Sequence, residues 1–249
     1  RLTDPNDMLG FAYATAVIEL DLLDTITLQP IQRIKAGYHE TQLVDDHIAS
    51  ATAIRELMDK QAPTTSFLPY VGQQAAELLA QGAQTAPWST TWYHALQTKV
   101  MTTPIAELEQ IYQLTDGLAY RLQEQVAQHL ATDFTSFMAA YKSKRYTQAR
   151  LQRTLLYTVL NITSAEMQTA MATPYLRMLG ATTLGRRYLK QKRDEFSLPV
   201  IHKVEKDDLT GILALDYRAG RLYQLFSQRP ADLAKAQDTG RIPVFIERG

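Results

Sequence analysis

The stretch "IASATAIR", residues 48 to 55, sets two hydroxyls, three alanines and an arginine at the start of a helical run. The first N–H groups of a helix have no partner inside it, so Ser50 is placed to cap it, its hydroxyl accepting from an amide two or three residues on. The same orphan amides, with the positive end of the helix dipole, also make a cradle for an anion. Small side chains at 49, 51 and 53 admit a phosphate to the backbone, and Ser50 and Thr52 add hydroxyl donors. Arg55 reaches back over the same end with a planar fork that donates two hydrogen bonds at once. Spacing alone leaves two readings open, an ordinary capped helix and a phosphate site.

The second chemistry-bearing feature is charge. The chain of 249 residues is formally neutral, with 26 basic and 26 acidic residues. Between Lys142 and Arg193, however, stand eleven basic residues against the single acid Glu166, so this block is +10 and the remainder −10. Such a concentration is the footprint of a face that binds a polyanion, or else a set of solvated helix faces whose acids come from elsewhere in the fold. Other chemistries are excluded or weakened. With no cysteine there is neither a disulfide framework nor a thiolate metal site, which fits a reducing cytoplasm. His39, His47, His94, His129 and His202 are not at zinc-ligand spacings, and no metal site is expected. No apolar run is long enough to span a bilayer, so a membrane role is not expected.

The elements that must position these groups follow from periodicity. "DPNDMLGFAYATAVIELDLLD" predicts a mostly buried helix with Asp4 as cap and Pro5 at its first position. "TITLQPIQRI" alternates as a short strand that Pro30 ends or places at an edge, with Arg33 near its carboxyl end. A loop with Gly37, Tyr38 and His39 then leads to the helix of Ser50. Pro63, Pro69 and Gly72 mark a boundary, after which seven segments from "GQQAAELLAQG" to "TTLGRRYLKQKRDE" show helical spacing. Tyr146, Arg150 and Arg153 fall at i, i+4 and i+7, so they share a face opposite Leu151, Leu155 and Val159, and offer arginine and tyrosine to RNA backbone and bases. "SLPVIHKV" and "RIPVFIERG" predict short strands around one more helix, "ILALDYRAGRLYQLF". Trp88 and Trp92 flank a helix start and read as core or interface.

Five stretches taken in order, "PNDMLGFAYATA", "IQRIKAGYHET", "IASATAIR", "KRYTQARLQR" and "YLRMLGATTLGRRYL", resemble the bacterial tRNA(Met) cytidine acetate ligases, relatives of the HxGH nucleotidyltransferases. The resemblance implies an α+β, mainly helical chain. Residues 1–70 would be the C-terminal portion of an α/β (HUP-like) nucleotidyltransferase domain, and residues 71–249 a mostly helical tRNA-binding domain with a few short strands at its end. It implies an enzyme that activates acetate with ATP, as its magnesium complex, and passes the acetyl group to N4 of the wobble cytidine of elongator tRNA(Met) in the cytoplasm. ATP contacts carry over to Asn6 and Arg33, and, through likeness to the ISSTxIR signature, to Ser50, Thr52 and Arg55. Ala49 and Ala51 depart from that signature, standing at its first isoleucine and second serine. Candidate tRNA contacts are Lys142, Lys144, Arg145, Tyr146, Arg150, Arg153, Arg186, Arg187 and Lys190.

The family's HxGH motif, which holds the ATP phosphates, has no match here; His39 and His47 stand eight residues apart in another context. The catalytic residues are therefore not assigned, and the chain, which opens at Arg1, is expected to be a fragment lacking roughly the first third of the enzyme and unable to adenylate alone. Two other readings stay in play: a nucleotidyltransferase that adenylylates a small phosphorylated metabolite, and a helical RNA-binding module without catalysis. Salt-dependent tRNA binding separates the metabolite enzyme from the ligase.

Overall fold

The computed structural model describes residues 5–32, 46–60, 63–80, 90–204, 209–226 and 242–247. The chain divides into two compact units, Arg1–Ala83 and Gln84–Gly249.

In the first unit, helix α1 spans Pro5–Glu19 and ends where Asp21 turns into the left-handed region at φ 54°. Its expected burial is not observed. Phe11 and Tyr13 are 64% and 61% exposed, and Val17 is the buried position of the helix. The reason lies in its composition: α1 is apolar on every side rather than along one stripe, so no single neighbouring element can cover it. The expected strand at 25–33 is also absent over its described part, residues 25–32. Thr25 and Ile26 fold back to donate to the Leu22 carbonyl, and Ile26 to Gln32 then run without a ladder partner. Alternation had the period of a strand, but a strand forms only beside another. Arg33, Tyr38 and His39 lie outside the described residues. Helix α2, Ala51–Asp59, follows; then come a short 3-10 helix, Thr64–Ser66, and helix α3, Gln73–Ala80. Among the described side chains of this stretch, Ala53, Phe67 and Ala76 are the buried apolar ones.

The second unit is built on a helical core. Helices α4 (Thr90–Thr102), α5 (Ile105–Leu108), α6 (Leu118–Gln128), α7 (Phe134–Tyr141) and α8 (Gln148–Leu160) enclose Trp92, Leu96, Leu122, Phe137, Leu151 and Leu155. Trp92 packs edge-on to Phe134, with centroids 5.3 Å apart, as expected of a core tryptophan; Trp88 lies outside the described residues. Leu151 and Leu155 are fully buried and Val159 packs against the same cluster, so the apolar face of α8 is the one its spacing predicts. The run from 104 to 130 is two helices rather than one. Gln113, Asp116 and Gly117 take positive φ values between them, and Tyr112 instead donates to the Ile162 carbonyl.

Helix α9, Ser164–Met171, packs against helix α11, Gly211–Phe226. The helical reading of "SAEMQTAMATPYLRMLG" holds only to Met171, because Pro174 lacks an N–H and disfavours helical backbone at Thr173. Beyond it come strands β1 (Leu176–Arg177) and β2 (Gly180–Thr182), helix α10 (Thr183–Gln191), a 3-10 turn (Arg193–Glu195), and strands β3 (Val200–Ile201) and β4 (Val244–Ile246). β1 pairs parallel with β3, Leu176 opposite Val200, and β2 parallel with β4, Gly180 opposite Val244. Gly180 is needed by close approach, since a Cβ there would stand 2.7 Å from the Val244 carbonyl oxygen.

Candidate functional site

At the start of α2 the cap is observed as read: Ser50 has extended backbone, and its hydroxyl accepts from the Ala53 amide at 3.0 Å. Ser50 itself is buried, Thr52 half-buried and Arg55 exposed. An anion at this end would therefore meet the arginine and the remaining amides, while the Ser50 oxygen is already accepting. Asn6 is exposed in the first turn of α1.

The first group of cations surrounds the turn from α7 to α8. Arg121, on α6, donates to the carbonyls of Ala140 at 2.8 Å, Tyr141 at 3.1 Å and Lys142 at 3.2 Å, closing the end of α7 from which Lys142 and Lys144 emerge. This positioning role was not read from the sequence, because Arg121 stands outside the basic block and its partners are backbone atoms. Thr147 caps α8, its hydroxyl accepting from the Arg150 amide at 3.3 Å. Tyr146 therefore precedes the helix, and the shared face predicted at i, i+4 and i+7 includes only Arg150 and Arg153. The Tyr146 hydroxyl donates to Asp116 at 3.0 Å, and the ring carries the Arg150 guanidinium 4.4 Å and that of Arg145 5.3 Å from its centroid. With 9% of its surface exposed, Tyr146 acts as a clamp for two arginines, and its ring is not open to a base. Burial raises the Tyr141 phenol well above its ordinary range.

The second group lies on α10 and the turn after it. Thr182 caps α10 by accepting from the Gly185 amide at 3.1 Å, and Arg186, Arg187, Lys190 and Arg193 are exposed. Helix α10 has no buried residue.

The block's single acid is taken by a residue from outside it: Arg218 on α11 donates to both oxygens of Glu166 at 2.8 Å. Arg145 pairs with Asp116 at 3.4 Å and Lys192 with Glu195 at 2.7 Å. Among the described residues, Lys142, Lys144, Arg150, Arg153, Arg186, Arg187, Lys190 and Arg193 form no ion pair. Most of the positive block is thus not neutralised by carboxylates among the described residues. Among the described residues no cluster of three or more histidines and carboxylates is arranged for a metal ion, and no helix is long and apolar enough to cross a membrane.

A capped helix start in the first unit and a basic helical second unit are the features to be placed, and comparison with known proteins places them. A family model described as HIGH Nucleotidyl Transferase matches residues 1–238. The chain belongs to the HIGH nucleotidyl transferase family. It is 39% identical over 248 residues to the tRNA(Met) cytidine acetate ligase of Leuconostoc citreum (strain KM20), covering 99% of this chain and 61% of that protein. With the ligase of the same description from Limosilactobacillus fermentum, identity is 42% over 234 residues, 94% of this chain and 60% of the relative. The fold resembles Thermotoga maritima TmcAL, in its apo form with TM-score 0.79 and 22% identity over 98% of this chain and 61% of that one. TmcAL bound with alpha-thio ATP matches with TM-score 0.78 and the same identity, over 98% of this chain and 60% of that one. The chain spans about three fifths of the length of these relatives.

Proposed function

We propose that this chain serves in an ATP-dependent acetate ligase that forms N4-acetylcytidine at the wobble position of elongator tRNA(Met). The carboxylate of acetate attacks the α-phosphate of ATP, forming a carboxyl–phosphate bond and releasing pyrophosphate. The cytidine N4 amine then attacks the acetyl carbonyl, loses a proton, and releases AMP. The first step requires donors and cations around developing phosphate charge, with magnesium arriving as part of the nucleotide complex. This reading assigns those roles to Asn6, Arg33, Arg55 and the amides at the start of α2, with Ser50 and Thr52. Residues to about 70 handle the nucleotide, and those beyond it hold the tRNA through Lys142, Lys144, Arg145, Arg150, Arg153, Arg186, Arg187 and Lys190. Tyr146 contributes through the arginines that it orients. The work is cytoplasmic, where tRNA matures.

The observation that carries this reading is a likeness to tRNA(Met) cytidine acetate ligase running over 99% of the chain. The cations that form no ion pair among the described residues support the tRNA half of it. The test is full-length protein with ATP, magnesium, acetate and elongator tRNA(Met), followed by nucleoside analysis for acetylcytidine. Absence of acetylcytidine overturns the proposal. In separate binding titrations of the full-length protein, Arg33→Ala should abolish ATP binding and leave tRNA affinity intact.

A further inference from the structure

Beside α10 lies a cavity of about 780 Å³ whose lining has two distinct chemistries. Its lining includes Arg186, Lys190 and Arg193 together with the apolar Leu189, Phe196, Leu198 and Val200, and His202. Among the described residues no carboxylate lines it, which disfavours a cationic ligand. A purely apolar ligand would leave three cations desolvated without partners, and a bare polyphosphate would leave the apolar walls unused. A nucleotide satisfies both sides, since it joins a flat base to a phosphate. Within this lining, the Arg186 guanidinium sits 4.7 Å from the centroid of the Phe245 ring. A guanidinium plane held by a ring on one side offers its other face to a base.

We infer that this cavity takes one unstacked nucleotide of an RNA loop, with the base against the apolar walls and Arg186, and the backbone phosphates along Lys190 and Arg193. The three cations run from 186 to 193, about 10 Å of chain at helical rise, which is longer than one phosphate and suits a strand better than a free mononucleotide. Arg193, Leu189, Phe196, Leu198 and Phe245 thereby join the RNA-contacting residues. The inference rests on the RNA half of the proposed function.

The test uses the 249-residue chain and three probes: an RNA hairpin with a single-stranded loop, a blunt RNA duplex with the same number of phosphates, and cytidine monophosphate. The hairpin should bind about tenfold more tightly than the duplex, the scale of one stacked base. Ser197→Glu places a carboxylate at an exposed position of the cavity lining, and should abolish the hairpin's advantage while duplex affinity holds within about twofold. Arg193→Gln, a second exposed change, should reduce the advantage in the same way and serves if the first variant fails to fold, as judged by its melting curve. Equal binding of hairpin and duplex, or a hairpin preference untouched in a folded variant, overturns the nucleotide cavity and leaves RNA binding standing. If cytidine monophosphate alone responds to the variants, the site is for a free nucleotide and the inference fails. If neither RNA binds in a salt-dependent way, the RNA reading itself fails.

Discussion

The cations around the α7–α8 turn and those on α10 carry the same charge on opposite foundations. Arg145 and Arg150 rest on Tyr146, which is tied to Asp116 and packed against a core containing Leu151 and Leu155. Arg186 and Lys190 stand on a helix, and Arg193 on the 3-10 turn after it, neither with a buried residue, steadied by two parallel strand pairs of two and three residues. The first group presents a surface already organised before any ligand arrives. The second lines a cavity, and little burial has to be disturbed for it to adjust around what enters. Charge alone does not separate a rigid phosphate platform from an adaptable pocket; the packing beneath it does.

Several substitutions would break or sharpen this contrast. Leu151→Ala should cost about 2–5 kcal/mol in urea unfolding, because the side chain is fully buried beneath the first group. A change much smaller than that would mean that the first platform is not core-supported. Gly180→Ala should cost about 1–3 kcal/mol, since the new Cβ would meet the Val244 carbonyl at 2.7 Å. Hydrogen exchange should then accelerate at the Val244 amide, which donates to Leu179, and not in α8; acceleration in both would erase the distinction.

Smaller effects refine it further. Tyr146→Phe should lower stability by about 0.5–1.5 kcal/mol through loss of the Asp116 hydrogen bond, with the salt dependence of RNA binding unchanged. Lys190→Gln should do the reverse: stability within about 0.5 kcal/mol of the parent, and a slope of log affinity against log salt shallower by about one. Last is the Asp133 cap of α7, whose carboxyl is lowered by hydrogen bonds from the Ser136 backbone and hydroxyl. A lowered folded-state value means that its contribution is present above about pH 4 and fades as pH falls through that lowered value. Asp133→Asn should therefore flatten the acid limb of the urea midpoint against pH, and an unchanged limb would remove the cap from the first platform's support.

Much of the second unit was legible because its helices are amphipathic and their starts carry hydroxyl or carboxylate caps. The hydroxyls of Thr147, Thr163 and Thr182 each accept from the amide three residues on. The Thr147 cap was itself a signal that α8 begins at Gln148, and attending to it would have kept Tyr146 off the helical face. The strands β1 and β2 were not legible. Segments of two or three residues are too short to show a period, and their partners lie more than twenty residues away in sequence. The alternation after α1 misled in the opposite sense, since a strand's period is worth nothing without a neighbour to bond. At the candidate nucleotide site the Ser50 cap was legible, while Arg33 falls outside the described residues.

By itself the amino-acid sequence determined most of the helices, the Ser50 cap, the buried stripe of α8 and the segregation of charge, because each depends on residues a few positions apart. Only tertiary structure decided that Tyr146 holds arginines, that Arg218 takes the block's one acid, and that cations and apolar walls meet beside α10. Those outcomes join residues distant in the chain, and such meetings are set by how whole elements pack rather than by any local pattern.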